Sequence, residues 1–152
     1  MAKITVRPAL VTNLQDVLDL LVEFHGELPP AIPLSMPRTL QTVVTVFDEG
    51  VILIALRDDE VVGTMGIAPQ QWWFSNAWYL SDCWMFVKKG ARRSTAAADI
   101  LKAARSFADK TGLPLIAAVA NLNQTNRKNA LYRRYFTPIG ERFIHGLDVH
   151  GE

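Results

Sequence analysis

The basic side chains that could bind an anion fall in two short segments. Lys88, Lys89, Arg92 and Arg93 lie in one, and Arg127, Lys128, Arg133 and Arg134 in the other. Together they are eight of the chain's 16 Lys and Arg residues, on a protein whose net charge is only +1. If the topology brings both to one sheet end they make a local anion site, and otherwise they are a solvated basic face. The turn Arg92-Arg93-Ser94-Thr95-Ala96-Ala97-Ala98 carries no bulky side chain from 94 to 98. A helix starting there would present unpaired N–H groups and a positive dipole end, with room for a pyrophosphate to come close. Ala-rich helix starts also arise for packing alone. Asp82 is the only acidic residue in the apolar stretch Trp78–Val87. Burial there would raise its pKa into a useful range for proton transfer. The alternative is a satisfied structural carboxylate, and a bulge would change which side of the strand it faces.

The elements that position these residues can be read from period and punctuation. Residues 3–7 alternate as a short strand, and Thr12-Asn13-Leu14-Gln15 has the spacing of a capping box opening a helix over 13–26. Four prolines lie in the loop from Gly26 to Pro37. Ser35 followed by Pro37 starts a second helix, with Leu40, Val43, Val44 and Phe47 as its buried stripe and Gly50 as its end. Val51–Arg57 and Val61–Ala68, joined by Asp58-Asp59-Glu60, form a hairpin. Pro69–Ala77 is a connection into a long strand, Trp78–Val87. A helix over 95–110 turns Ala97, Ile100, Leu101, Ala104 and Phe107 inward, and Gly112 with Pro114 stops it. Leu115–Ala120 is a strand covered on both faces, 124–135 a polar basic helix, and Arg142–Val149 a final strand. The order β-α-α-β-β-β-α-β-α-β makes this a mixed α/β (α+β) sheet protein.

Length and composition bound the function. With 152 residues, 49% hydrophobic and 20% charged, the chain is expected to form a single globular domain with a core of its own. A net charge of +1 argues against a surface built throughout for nucleic acid or an anionic membrane. The single cysteine, Cys83, cannot form an internal disulfide or a Cys-cluster zinc site, and it reads as a buried small hydrophobe. His145 and His150 form no metal pattern, so no metal is expected. Met1–Pro8 is too polar for a secretory signal, and no apolar run reaches the length of a membrane span, so a cytoplasmic location is expected.

Residues 87–101, from Val87 through Arg92, Thr95 and Ala97 to Ile100-Leu101, resemble the acetyl-CoA motif of the GNAT N-acetyltransferases. Arg92 falls on that motif's Arg/Gln position, Thr95 on its first Gly and Ala97 on its Gly/Ala, with Ile100-Leu101 as the apolar pair. The departure is Thr95 in place of Gly. Downstream, Leu131-Tyr132 and Phe136 match the spacing of the family's Leu-Tyr and Phe segment, with Tyr135 where Gly is usual. The element order also agrees over nearly the whole chain.

The resemblance implies a GNAT acyl-CoA N-acyltransferase fold, a mixed and mostly antiparallel central sheet flanked by helices. It implies an enzyme moving acetyl from acetyl-CoA to a primary amine by direct attack. In that reading the backbone N–H groups of Arg92, Arg93, Ser94, Thr95, Ala96 and Ala97 hold the CoA pyrophosphate. The main chain of Met85, Phe86 and Val87 pairs with the pantetheine arm. Tyr132 protonates the leaving thiolate, with a core aromatic as its alternative, and Asp82 is a candidate base. Trp72, Trp73, Trp78 and Trp84 line an acceptor pocket or simply pack, and His25 lies near the same site. The loops 26–37 and 69–77 set the acceptor, a small-molecule or peptide amine, and family members are often homodimers. The competing reading is a GNAT-like domain with weakened turnover that acts as a binding or structural protein. Nucleic-acid binding is a weaker third, since no base-stacking motif accompanies the basic clusters.

Overall fold

The computed structural model describes residues 3–28, 30–118, 127–140 and 143–147. Along the chain run β1 (Ile4–Pro8), α1 (Leu14–His25), α2 (Met36–Glu49), β2 (Val51–Arg57), β3 (Glu60–Gln71), β4 (Trp78–Val87), α3 (Ala96–Thr111), β5 (Leu115–Ile116) and α4 (Arg127–Tyr135). The five strands form one sheet in sequence order. The first four pair antiparallel, and β5 lies parallel to β4. This is the mixed, mostly antiparallel sheet with flanking helices that the sequence implies.

Side chains alternate between two cores because helices cover both faces of the sheet. On one face Leu53, Ala55, Met65, Leu80, Met85 and Val87 pack with Ile100, Leu101 and Ala104 of α3 and Tyr132 of α4. On the other, Ile52, Ile54, Trp84 and Phe86 pack with Val17, Leu18, Val43 and Val46 of α1 and α2. The stripe of α2 is Val43 and Val46, whereas Leu40 and Val44 are 46% and 40% exposed. Of the four residues expected, Val43 is buried and Phe47 packs partly buried against the same core, while Leu40 and Val44 face solvent. In α3 the fully buried residues are Ala96, Ile100, Leu101 and Ala104, with Ala97 and Phe107 only partly covered.

Local chemistry sets most boundaries. Ser35 caps α2 by accepting the Arg38 N–H at 3.3 Å, with Pro37 in the first turn. The start of α1 differs from the expected capping box. Val11–Asn13 is a 3₁₀ turn closed by Asn13 N–H donating to Leu10 C=O at 2.9 Å, and the Asn13 side-chain oxygen Oδ1 in turn accepts the Leu10 N–H at 2.9 Å. Asp58 and Asp59 both adopt positive φ, which gives the tight β2–β3 turn the hand that suits a hairpin. β3 runs on through Pro69 to Gln71, so only residues 72–77 connect it to β4. Pro69 fits because it pairs with Leu80, whose N–H points the other way, to Pro114 C=O at 2.7 Å.

The last part of the chain departs from expectation. β5 is Leu115–Ile116, both half-buried, and residues 119–126 lie outside the described region. Of the expected strand Arg142–Val149, residues 143–147 carry no strand and the remainder is not described, nor is His150.

Candidate active site

Two irregularities in β4 shape the site. β4 meets β5 only at Leu80 and Ser81, so among the described residues its edge is open from Asp82 onward. Cys83 is an extra residue in β4, because Gly66 pairs with Trp84 while Ile67 pairs with Asp82. The bulge puts Leu80 and Asp82 on the α3 face and then switches the alternation, so that Met85 and Val87 follow on that face. Cys83 itself is exposed at the bulge and is not the buried hydrophobe expected.

Backbone polarity follows from the same register. Lys88 N–H donates to Val62 C=O at 2.9 Å, which makes Gly63–Val87 a non-hydrogen-bonded pair. The ladder alternates, so Met65–Met85 is another such pair. The N–H and C=O groups of Met85 and Val87 therefore face the open edge, and those of Phe86 face β3. Of Met85, Phe86 and Val87, only Met85 and Val87 direct main-chain polar groups to that edge, and Val87 C=O already accepts Arg92 Nε at 3.0 Å.

The open edge runs into the start of α3. Thr95 is the N-terminal boundary residue, with φ −83° and ψ 5°. This conformation is open to any L-residue, so threonine in place of glycine carries no backbone strain there. Its hydroxyl is turned away to Asp99 at 2.7 Å. Ala96 N–H has no intrahelical acceptor and donates to the Ser94 hydroxyl oxygen at 3.2 Å. The N–H groups of Thr95, Ala97 and Ala98 precede the first intrahelical bond, from Asp99 N–H to Thr95 C=O, and have no helical acceptor. Arg93 is exposed. Arg92 is committed: Nε donates to Val87 C=O at 3.0 Å, Nη2 bonds both oxygens of Glu27 at 2.8 and 2.6 Å, and the guanidinium lies 5.4 Å from the Phe86 ring centre.

The basic clusters converge only in part. Lys88 is paired with Glu60 at 2.7 Å, and Arg133 and Arg134 are exposed. From α4, Lys128 comes within electrostatic reach of Arg92, and also of Glu27 and Asp82. Burial, and then the Arg92 charge, lower the Lys128 pKa. Tyr132, one turn further along α4, is buried in the core on the α3 face. Its phenol is pushed well above the ordinary value, first by burial and then by the negative charge of Asp82. Asp82 is half-buried, and both its oxygens accept the Ala118 N–H at 3.2 and 3.3 Å.

An open groove edged by β4, a small-residue helix start and a buried phenol beside a carboxylate are what a family comparison must explain. The model of the acetyltransferase (GNAT) family matches residues 14–136. The chain belongs to the GNAT acetyltransferase family. Solved structures of similar fold include an aminoglycoside acetyltransferase from an uncultured soil metagenomic sample, in complex with sisomicin. It is 10% identical with a TM-score of 0.70, over 95% of this chain and 94% of that one. The aminoglycoside 6'-N-acetyltransferase AAC(6')-IG of Acinetobacter haemolyticus is 17% identical with a TM-score of 0.69, over 94% and 97%. AAC(6')-Iy in complex with a bisubstrate analogue, CoA-S-monomethyl-acetylneamine, is 14% identical with a TM-score of 0.72, over 96% and 98%. No curated protein is significantly similar in sequence.

In this GNAT chain a cavity of about 310 Å³ lies on the opposite face of β4, between the end of α1 and the start of α2. Leu21, Phe24, His25, Leu34 and Arg38 wall it and Trp84 closes its floor. His25 is there as expected, held by a 2.6 Å hydrogen bond between Nε2 and Ile32 C=O. The tryptophans divide. Trp84 lines the cavity and donates to the Thr64 hydroxyl at 3.2 Å, and Trp72 stacks on Tyr79 at 4.3 Å. Trp73 and Trp78 are 93% and 48% exposed at the β3–β4 tip. Sequence reasoning did not single out Glu27, Phe24 or Arg38. Glu27 meets Arg92 from 65 positions away, and no local pattern signals such a contact. Among the described residues no helix is long and apolar enough to cross a membrane.

Proposed function

We propose that this protein is a single-domain N-acetyltransferase that moves an acetyl group from acetyl-CoA to a primary amine by direct attack on the thioester. The observation that carries the reading is the continuous open edge of β4 leading into the unpaired N–H groups at the start of α3. Met85 presents N–H and C=O and Val87 its N–H at the spacing of a strand, which suits the amides of the pantetheine arm, while Val87 C=O is held by Arg92 Nε. The small residues Ser94–Ala98 leave the backbone accessible to a pyrophosphate, which the helix dipole favours. The negative φ at Thr95 supports this reading over a weakened binding protein, because the substituted glycine position needs no special conformation.

The bound cosubstrate supplies an activated acyl group whose leaving group is a thiolate. Tyr132 holds a proton near the open edge and gives it to sulfur as the C–S bond breaks. Asp82, tied to Ala118, orients the groups at the bulge and accepts a proton from the incoming ammonium through solvent. The acceptor reaches the thioester from the cavity floored by Trp84, where Phe24 and Leu21 suit an apolar body and His25 and Arg38 suit polar groups on it.

The experiment is the thermal unfolding midpoint with and without acetyl-CoA, with a dephosphorylated analogue as control. Ligand at about 100 times its Kd stabilises by about 2.7 kcal/mol, which for a chain of this size is roughly 5–11 °C. A shift that requires the phosphates is the expected outcome, and an amine screen then identifies the acceptor. No shift at millimolar cosubstrate removes the reading.

A further inference from the structure

Lys128 links the two faces of the sheet at the groove. α4 packs through Leu131, Tyr132 and Tyr135 into the core on the α3 face. Yet the Lys128 ammonium lies 5.9 Å from the ring centre of Phe24, which belongs to the core on the α1/α2 face and walls the cavity there. Phe24 in turn stacks on Phe86 of β4 at 5.5 Å. The side chain therefore rounds the open edge of β4 beyond Ser81. Lys128 and Tyr132 are four residues apart on one helix, so they share a face. The groups around the ammonium are Arg92, Glu27 and Asp82, two carboxylates and one cation, with the Tyr132 phenol on the adjacent turn. A primary amine on a flexible stem thus stands between the groove and the acceptor-side cavity.

We propose that Lys128 is an internal acceptor, so that the protein acetylates its own Lys128 ε-amine when acetyl-CoA is bound and no outside amine fills the site. This rests on the acetyl-CoA reading above. Lys128 Nζ, as the free amine, attacks the thioester carbonyl carbon. The N–C bond forms, the C–S bond breaks, and sulfur takes the phenolic proton of Tyr132. The proton shed by nitrogen restores the phenol, leaving acetyl-Lys128 and free CoA. Burial and the Arg92 charge, by lowering the lysine's pKa, raise the share of free amine at neutral pH. The product is a neutral amide that fills the passage and blocks further acceptors.

The test incubates the full chain with acetyl-CoA and maps acetylation by peptide mass spectrometry, using the exposed Lys102 and Lys110 of α3 as internal references. An amine held beside the thioester gains effective molarity, so Lys128 should react at least about tenfold faster than either reference. Tyr132→Phe should slow Lys128 and leave the references unchanged, and denatured protein should lose the preference. A second readout needs no turnover: CoA lacking the acetyl group should shield Lys128 from trace labelling by acetic anhydride and leave Lys102 and Lys110 alone. If acetyl-CoA shifts the unfolding midpoint but Lys128 reacts no faster than the references, the self-acetylation is wrong and the cosubstrate reading stands. If there is no midpoint shift, both fail.

Discussion

At the scale of single residues the environment of Tyr132 both suits and limits it as an acid. Burial keeps the phenol protonated throughout the neutral range, so a proton is always in place. The same burial makes phenolate costly, and a proton transfer that ended there would run uphill. The transfer to sulfur must therefore be concerted with arrival of the proton from the attacking nitrogen. Tyr132→Phe keeps the ring in its core position and removes only that relay. Steady-state kinetics should show kcat reduced by about a hundredfold or more, with CoA affinity unchanged. Equal turnover would take Tyr132 out of the mechanism and leave it a core aromatic. The hydroxyl also has a stability signature. A folded-state pKa above the unfolded value of 10.0 means that from pH 10.0 upward the unfolded chain ionises while the native one does not. The stability of the parent relative to Tyr132→Phe is therefore constant at neutral pH and falls as pH rises past 10, which urea unfolding midpoints across that range would read.

At the scale of elements the bulge in β4 decides which side chains reach which face, and Gly66 opposite it makes room for Trp84. A Cβ at Gly66 would lie 2.6 Å from the Trp84 indole, so the cross-strand glycine is where that ring rests. Gly66→Ala should push Trp84 off its bond to Thr64 and out of the cavity floor. Overpacking of this kind costs about 1–3 kcal/mol, visible as a lower urea midpoint. Amine KM should rise more than CoA Kd, because the groove lies on the other side of the strand. A loss of CoA affinity equal to the loss for amine would mean that the two sites are not divided at β4. Much of this architecture was legible in the sequence. Ser35 with Pro37 marks the α2 start, Asp58-Asp59 the hairpin, and Val87 through Ala97 the junction from β4 into α3. The bulge was not legible, since a strand with one extra residue reads like a regular strand until its partner's register is known. The α2 stripe was half right for a related reason: Val43 and Phe47 pack as read, Leu40 and Val44 are apolar at the right period yet exposed, and only tertiary packing selects the face that also takes Val46.

At the scale of the whole molecule the contact between Arg92 and Glu27 joins the α1–α2 loop, which walls the cavity, to the β4–α3 turn beside the edge of β4. Both side chains keep more than a third of their surface in water, 39% and 36%, so the pair contributes at most about 1 kcal/mol to folding. Its weight lies in what it competes with. A carboxylate held bidentate on Arg92 occupies the guanidinium that would otherwise face a phosphate, and it adds negative charge beside the anion site. If binding the pyrophosphate breaks the pair, the cost of breaking it is subtracted from CoA affinity. The freed Glu27 carboxylate then becomes available to an ammonium entering from the acceptor side. Glu27→Gln should accordingly tighten CoA by up to about fivefold, the equivalent of that 1 kcal/mol. Calorimetric titration would read it, and the unfolding midpoint should move little. The same variant should weaken amine binding in the presence of CoA more than in its absence, because only the bound state presents the carboxylate to the acceptor. Since coupling between two ligands is reciprocal, CoA must then bind more tightly when the amine is present in the parent protein, and less so in the variant. Weaker CoA binding by Glu27→Gln would reverse the reasoning. It would mean that the pair persists in the complex, with Glu27 holding Arg92 in the pose that the phosphate needs.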